Sequence, residues 1–150
     1  MKKNILRIFL IILILCWMYM VFGFSNASGE ASTGISMRFA ELFIKNGEYI
    51  EIAEKIIRKI AHLSEYALGA ILVYLLMLTF KLNAKIQFLC SWLFIVLYAI
   101  TDEVHQLFIP GRSGRVVDVF IDSIGALIGM CVILFIIKIF QLVKRRLTKC

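Results

Sequence analysis

Proline is almost missing from this chain, and polar residues are too few for an ordinary soluble domain. Among 150 residues only Pro110 is a proline, while 61% of the residues are hydrophobic. Soluble globular domains are usually about 45–50% apolar. The excess predicts that lipid is the main solvent of this protein.

Four apolar segments account for more than half of the chain. A helix rises about 1.5 Å per residue, so about 20 apolar residues cross the hydrocarbon of a bilayer. The segments lie at about 5–24, 61–80, 86–106 and 118–137. The remainder is too short for a soluble domain with its own core. The predicted fold is therefore all-α: a polytopic membrane helical bundle that forms one domain over residues 1–150.

The first segment also has some features of a cleaved signal peptide. It follows Lys2, Lys3 and Arg7, and it ends near the small residues Ser25 and Ala27. Its apolar stretch exceeds the roughly 7–15 residues usual for the core of such a peptide. A retained helix is favoured, and cleavage stays the alternative.

The cysteines do not indicate a disulfide framework. Cys16, Cys90 and Cys131 lie inside apolar runs, and Cys150 follows a basic tail. Such positions are typical of buried, apolar thiols. They also leave no thiol near the polar residues described below.

Acidic residues are missing from one side of the predicted bundle. With four spans both termini share a side, and ten of the 17 basic residues but none of the ten acidic residues fall there. Basic loops are typical of the cytoplasmic side. The pattern predicts a multi-pass membrane protein with both termini in the cytoplasm. The net charge of +7 then reflects topology and does not indicate a nucleic-acid partner.

Residues 36–60 predict an amphipathic segment on the outer side, with a break at Asn46-Gly47. Glu51 with Lys55 and Glu54 with Arg58 are favourable pairs at i,i+4 spacing. Apolar residues recur at helical spacing on another face, namely Ile50, Ala53, Ile57 and Ile60. Two interpretations stay open: a helix on the membrane surface, or a helical lead-in that continues into the second span.

Polar residues cluster at the outer ends of three predicted spans. His62 and Glu65 share a helix face at the start of the second span, because they are three residues apart. The third span ends with Asp102, Glu103, His105 and Gln106, and the fourth begins at Asp118 with Asp122 one turn deeper. Such groups can act as general acids and bases, which makes all eight candidate catalytic residues.

Several of these carboxylates have a simpler structural explanation. Glu65 and Asp118 lie in first turns, where the helix dipole favours negative charge. Asp102 and Glu103 lie at a carboxyl end, so a positive partner is predicted: Arg112, Arg115, a protonated histidine or a metal ion. Asp122 lies deeper, where an unpaired carboxylate costs on the order of 2.5 kcal/mol. We expect it to face the bundle interior with a partner.

A divalent metal ion is one possible cofactor of this cluster. Oxygen donors dominate it, which favours a hard cation, and zinc held by the two histidines and a carboxylate is the alternative. No tight ligand spacing supports either ion. The candidate ligands are His62, Glu65, Asp102, His105 and Asp118.

The same residues carry a resemblance to a known family. The blocks His62-Leu63-Ser64-Glu65-Tyr66-Ala67-Leu68-Gly69 and Asp102 to Arg112, followed by Asp118 and the pair Gly125/Gly129, are similar to the pattern of the VanZ-like family. The match covers about residues 60–130. It implies a small multi-helix protein of the bacterial plasma membrane, whose namesake is associated with low-level resistance to the glycopeptide teicoplanin. The resemblance implies no particular biochemical activity.

Three functions follow as hypotheses. In the first, the outward site handles a lipid-linked cell-wall precursor or meets a glycopeptide, with Arg112 and Arg115 gripping a phosphate. In the second, the cluster is a structural salt-bridge network in a non-catalytic modulator or sensor. A transporter is disfavoured, because ionisable residues are missing from the midplane and inner half of the spans. Membrane lipids are the expected surroundings, and Gly125 and Gly129 predict close packing within the bundle more than dimerisation.

Overall fold

Long apolar runs without an internal proline form long helices in this protein. The structure, a computed structural model, describes residues 2–44 and 47–148, without the side chains of residues 31, 43, 47 and 48. Within those ranges the chain forms five helices. Their bounds are α1 Lys2–Ser25, α2 Gly29–Phe43, α3 Gly47–Met77, α4 Ala84–Gln106 and α5 Val116–Leu147.

Helices α1, α3, α4 and α5 are long and apolar enough to cross a membrane. This confirms the all-α membrane bundle, and the predicted spans 5–24 and 86–106 lie inside α1 and α4. Helix α5 ends ten residues later than the predicted 137. The extension contains Lys144, Arg145 and Arg146, which are good helix formers and are favoured near a carboxyl end.

The amphipathic segment 36–60 does not form one helix. It is divided between α2, which ends at Phe43, and α3, which begins at Gly47; Asn46 lies outside the described residues. Helix α3 then continues without interruption into the second span and ends at Met77, three residues before the predicted 80, so the lead-in interpretation applies to its first half. At about 1.5 Å per residue its 31 residues measure about 46 Å, which exceeds the roughly 30 Å of bilayer hydrocarbon.

The prediction that the thiols are buried is wrong. Cys16, Cys90 and Cys131 are free and exposed on the bundle surface. An apolar side chain on a membrane-spanning helix can face lipid at no cost, so apolar sequence here does not require burial in protein.

Aromatic residues tie α1 to the rest of the bundle. Trp17 and Tyr66 are buried in the core and pack edge to face, with ring centroids 6.0 Å apart. The Trp17 indole donates a hydrogen bond to the carbonyl of Glu65 at 2.9 Å, and the Tyr98 hydroxyl donates to the carbonyl of Met18 at 2.6 Å. Helix α1 is thus bonded to both α3 and α4.

Two glycines bring α5 against α3. A Cβ atom at Gly125 would collide with the carbonyl of Leu63, and one at Gly129 would collide with the carbonyl of Ala67. The backbones meet as the small-residue spacing predicts, and the contact lies within the bundle.

Helices α1 and α4 end, and α5 begins, at the same end of the bundle, which we call the polar end. The turn between α4 and α5 includes Gly111, whose φ of 75° favours glycine. The amide of Gly29 donates to the carbonyl of Pro110 at 3.2 Å, which fixes the start of α2 on this turn. From there α2 packs against α3.

The opposite end, which we call the basic end, is held by Arg7. Its guanidinium donates to the hydroxyl of Thr79 at 2.9 Å and to the carbonyl of Thr79 at 2.8 Å, and it lies 4.4 Å from the ring centre of Phe80. These contacts join the start of α1 to the residues that follow α3.

Candidate functional site

A cavity of about 500 Å³ opens at the polar end, and we call it the cationic cavity. Its walls come from the first half of α3, the end of α4, the turn before α5 and the starts of α2 and α5. The residues that line it are Gly29, Lys55, Arg58, Lys59, His62, Glu103, Gln106, Gly111, Arg112, Ser113, Arg115 and Asp118.

Positive charge dominates this lining. Five of these side chains are Lys or Arg and two are carboxylates, Glu103 and Asp118, so the lining carries a net charge of +3 with His62 neutral. Three of the cations, Lys55, Arg58 and Lys59, come from one turn of α3. Excess positive charge in a concave site with low-dielectric walls attracts anions.

The sequence did not predict this cationic wall, because Lys55 and Arg58 were interpreted as partners of acidic residues on a solvated helix face. One of those pairs exists: Arg58 Nε lies 3.6 Å from Glu54 Oε1. Arg58 nevertheless lines the cavity, as do its neighbours Lys55 and Lys59. The sequence pattern that could have predicted this wall is the spacing of Lys55, Arg58 and Lys59, at positions i, i+3 and i+4 of one helix.

Arg112 is bound mainly to the protein itself. Its Nε donates to the carbonyl of Ala27 at 2.9 Å and its Nη2 to the carbonyl of Phe24 at 2.8 Å. These acceptors lie at the carboxyl end of α1, where free carbonyls attract a cation. The guanidinium therefore caps α1, and its remaining N–H groups are available to the cavity.

The charge of Arg112 is balanced by nearby carboxylates. Burial lowers the pKa of the Arg112 guanidinium, and so does the charge of Arg58, whereas Asp102, Glu103 and Glu65 act in the opposite direction. A guanidinium stays protonated in proteins. Arg112 thus supplies the positive charge that the position of Asp102 at a helix carboxyl end predicts.

Glu103 joins the end of α4 to the start of α5. Its Oε2 accepts a hydrogen bond from the main-chain N–H of Arg115 at 2.8 Å, and Arg115 is the residue that caps α5. A carboxylate at the amino end of a helix is favoured by the helix dipole. The Arg115 guanidinium makes a separate contact, with Nε donating to Ser113 Oγ at 3.2 Å.

Two aspartates are buried beneath the cavity and do not line it. Asp102 Oδ2 accepts a hydrogen bond from Gln106 Nε2 at 3.0 Å. Asp122 is 1% exposed, which confirms that it faces the interior. Within residues 2–44 and 47–148, however, neither of its oxygens has a hydrogen-bond partner, so the predicted partner is missing from the described structure.

The two histidines have different surroundings. His62 lines the cationic cavity, with its Nδ1 3.9 Å from Glu65 Oε2. His105 stacks on Phe22 of α1 with ring centroids 4.6 Å apart, and it is not part of the cavity lining. Among the residues that the structure describes, no three His, Cys, Asp or Glu side chains converge to hold a metal ion. The proposed metal ligands are therefore not assembled.

One comparison with known proteins identifies the family of this chain. A family model described as VanZ/LLP1 matches residues 9–140, a range that includes at least part of every helix of the bundle. The chain belongs to the VanZ-like family. No curated protein and no solved structure matches it.

The family blocks quoted from the sequence meet at the cationic cavity. His62 comes from the first block, Glu103, Gln106 and Arg112 from the second, and Asp118 from the third. Residues 55–59, which supply three of the five cations, precede the first block. The VanZ-like pattern thus surrounds one cavity whose charge depends partly on residues outside the pattern.

Proposed function

We propose that this VanZ-like protein lies in the bacterial plasma membrane and that its cationic cavity binds the phosphate group of a lipid-linked cell-wall component. The observation that carries the proposal is the excess of five cations over two carboxylates in one cavity. The cavity adjoins helices that can cross a membrane, so a lipid phosphate is an accessible ligand.

The proposal includes an orientation, with the polar end outside the cell and both termini in the cytoplasm. The basic end carries Lys81 in the loop after α3, Lys85 in the first turn of α4, and the last turn of α5, which contains Lys144, Arg145 and Arg146. Concentration of Lys and Arg beside the spans is the usual mark of the cytoplasmic side. The cationic cavity then faces the leaflet in which finished cell-wall precursors are used.

The chemistry of the lining suits a phosphate. Arginine offers paired N–H groups in a plane and lysine offers a mobile point charge, and phosphate-binding proteins use both. Lys55 and Lys59 are four residues apart and therefore share a face of α3. The cavity volume of about 500 Å³ lies within the range of small-molecule sites, about 300–1,000 Å³.

The buried carboxylates support binding more than catalysis. Glu103 is bonded to the main chain at the start of α5 and Asp102 to Gln106, so both have structural partners. For these acidic residues we therefore favour the alternative hypothesis, in which they form a structural network that holds the walls of the cavity in place. The proposed role is a binding protein that affects glycopeptide tolerance, because handling of a cell-wall lipid changes the surface that a glycopeptide meets.

Binding of dimethylallyl phosphate, which has a phosphate and a very short tail, tests the proposal. The full chain in phosphatidylcholine nanodiscs is titrated calorimetrically, as wild type and as the double variant Lys55→Gln/Lys59→Gln. We expect the variant to bind at least about tenfold more weakly. A hydrogen bond to a charged group contributes about 1.5–3 kcal/mol, and about 1.4 kcal/mol corresponds to a tenfold change in Kd.

A matched control is Lys81→Gln/Lys85→Gln, which removes two lysines four residues apart at the basic end. It should bind as the wild type does. Equal affinities for all three proteins, or no binding to any of them, would refute the proposal.

A further inference from the structure

A second hollow, with apolar walls, lies between α2 and α3. Its volume is about 470 Å³, and it is lined by Ala40, Ile44, Tyr49, Ile52, Ala53, Ile56 and Ile57. We call it the α2–α3 groove. The small residues Ala40 and Ala53 leave it open, while Ile52 and Ile56 on its wall are 56% and 52% exposed.

A third hollow lies between the groove and the cationic cavity along α2 and α3. It is lined by Glu30, Thr33, Gly34 and Met37 of α2 and shares Gly29, Arg58 and Gly111 with the cavity. Met37, Ala40 and Ile44 follow at three- and four-residue steps and so share one face of α2. The first of them lines the third hollow and the other two line the groove. The walls along α2 and α3 therefore change from charged to apolar.

The hydrocarbon of the bilayer ends before this groove. About 20 residues of α3 are needed to cross the hydrocarbon, and counted back from its end at Met77 they reach about residue 58. The groove residues of α3 lie between Tyr49 and Ile57, which is at headgroup level. Exposed apolar walls at that level form a surface that an apolar ligand can cover.

We infer that the α2–α3 groove holds the single hydrocarbon tail of the lipid whose phosphate occupies the cationic cavity. The inference rests on the proposed function and narrows its substrate class to a phosphate with a single hydrocarbon chain, for which an isoprenyl phosphate is the probe. One groove accommodates one chain, which disfavours a phospholipid with two acyl chains. Because the groove lies beyond the hydrocarbon, binding draws the tail out of the hydrocarbon to headgroup level.

A farnesyl phosphate that carries a photoreactive diazirine on its tail tests this arrangement. The full chain in phosphatidylcholine nanodiscs is irradiated with the probe, and the cross-linked residues are mapped by mass spectrometry. We expect cross-links at the α3 wall of the groove, between Tyr49 and Ile57, and their loss when unlabelled farnesyl phosphate is added in excess. Phosphatidic acid, with two chains, should not compete.

Variants separate the tail site from the phosphate site. Ala53→Phe fills the groove and should reduce cross-linking at least fivefold while leaving the affinity for dimethylallyl phosphate unchanged. Ile60→Ser is the control, because Ile60 on α3 is as exposed as Ile52 of the groove wall, 57% against 56%, but does not line the groove. It should cross-link as the wild type does.

The possible failures are distinguishable. Cross-links confined to lipid-facing residues of α1 and α5, with dimethylallyl phosphate still bound, would overturn the tail site and leave the phosphate site standing. Equal competition by phosphatidic acid would overturn the single-chain specificity. Loss of all phosphate binding would refute the proposed function as well.

Discussion

The guanidinium of Arg112 donates a hydrogen bond to the main-chain carbonyl of Phe24 at 2.8 Å, across a sequence separation of 88 residues. A second bond from the same side chain reaches Ala27 at 2.9 Å. The turn between α4 and α5 is thereby attached to the end of α1. One arginine thus holds one wall of the cationic cavity in place.

Replacing Arg112 by lysine should weaken this attachment. A lysine has one nitrogen and cannot reproduce the planar donors that reach both carbonyls. We expect Arg112→Lys to lower the free energy of unfolding by about 1–2 kcal/mol, measured by thermal unfolding in detergent. Arg115→Lys is the control, because the Arg115 side chain donates only to exposed Ser113 in the described structure. Identical midpoints for the two variants would contradict the capping role.

Gly129→Ala should destabilise the bundle. The added Cβ would collide with the main-chain carbonyl of Ala67, and overpacking of this kind typically costs about 1–3 kcal/mol. Gly23→Ala is a matched control in another membrane-spanning helix, since no atom lies within 4 Å of the Cβ that would be added there. Thermal unfolding should show a lower midpoint for Gly129→Ala only.

Asp122→Asn should stabilise the protein. The Asp122 carboxylate is buried without a hydrogen-bond partner in the described ranges, and it interacts with the carboxylates of Glu103, Asp102, Asp118 and Glu65. Asparagine has nearly the same shape, carries no negative charge and offers N–H donors to the neighbouring carboxylates, so we expect a gain of about 1–3 kcal/mol. A decrease in the unfolding midpoint would show that Asp122 has a stabilising partner.

The proposed orientation predicts which thiols react in intact cells. In a protein whose membrane cysteines are replaced by alanine, a membrane-impermeant maleimide should label Asn26→Cys at the polar end. It should leave Cys150 unlabelled until the cells are opened. Asn26 is exposed in the turn after α1, so access does not limit its reaction. Labelling of Cys150 alone would place the polar end in the cytoplasm.

The sequence predicted the helical bundle because hydropathy determines which segments enter lipid. The span at 86–106 agrees with α4 to within two residues at its start, where Asn83 caps the helix by accepting from the N–H of Ile86 at 2.8 Å. The end of α5 was missed because its last residues are basic and helical, so apolar length alone does not define it. The start of α2 was not predicted, because the N–H of Gly29 donates a hydrogen bond to the carbonyl of Pro110. This is a tertiary contact, which the local sequence does not indicate.

The candidate site was predicted in part. Four residues that the sequence places at the same end of three helices, His62, Glu103, Gln106 and Asp118, line one cavity. The capping role of Arg112 was not predictable, because main-chain carbonyls at a helix end leave no pattern in the sequence. Metal binding depends on side-chain distances that helical spacing does not specify.

The contact of Gly125 and Gly129 with α3 also sets the height of the site. Each glycine admits a carbonyl of the facing helix, at Leu63 and Ala67, four residues apart on both helices. A slide of α3 along α5 would move those carbonyls against residues with side chains, so the two helices keep one register. His62 and Asp118 consequently keep a fixed offset along the two helix axes, and the depth of the cationic cavity is determined by two residues that have no side chain.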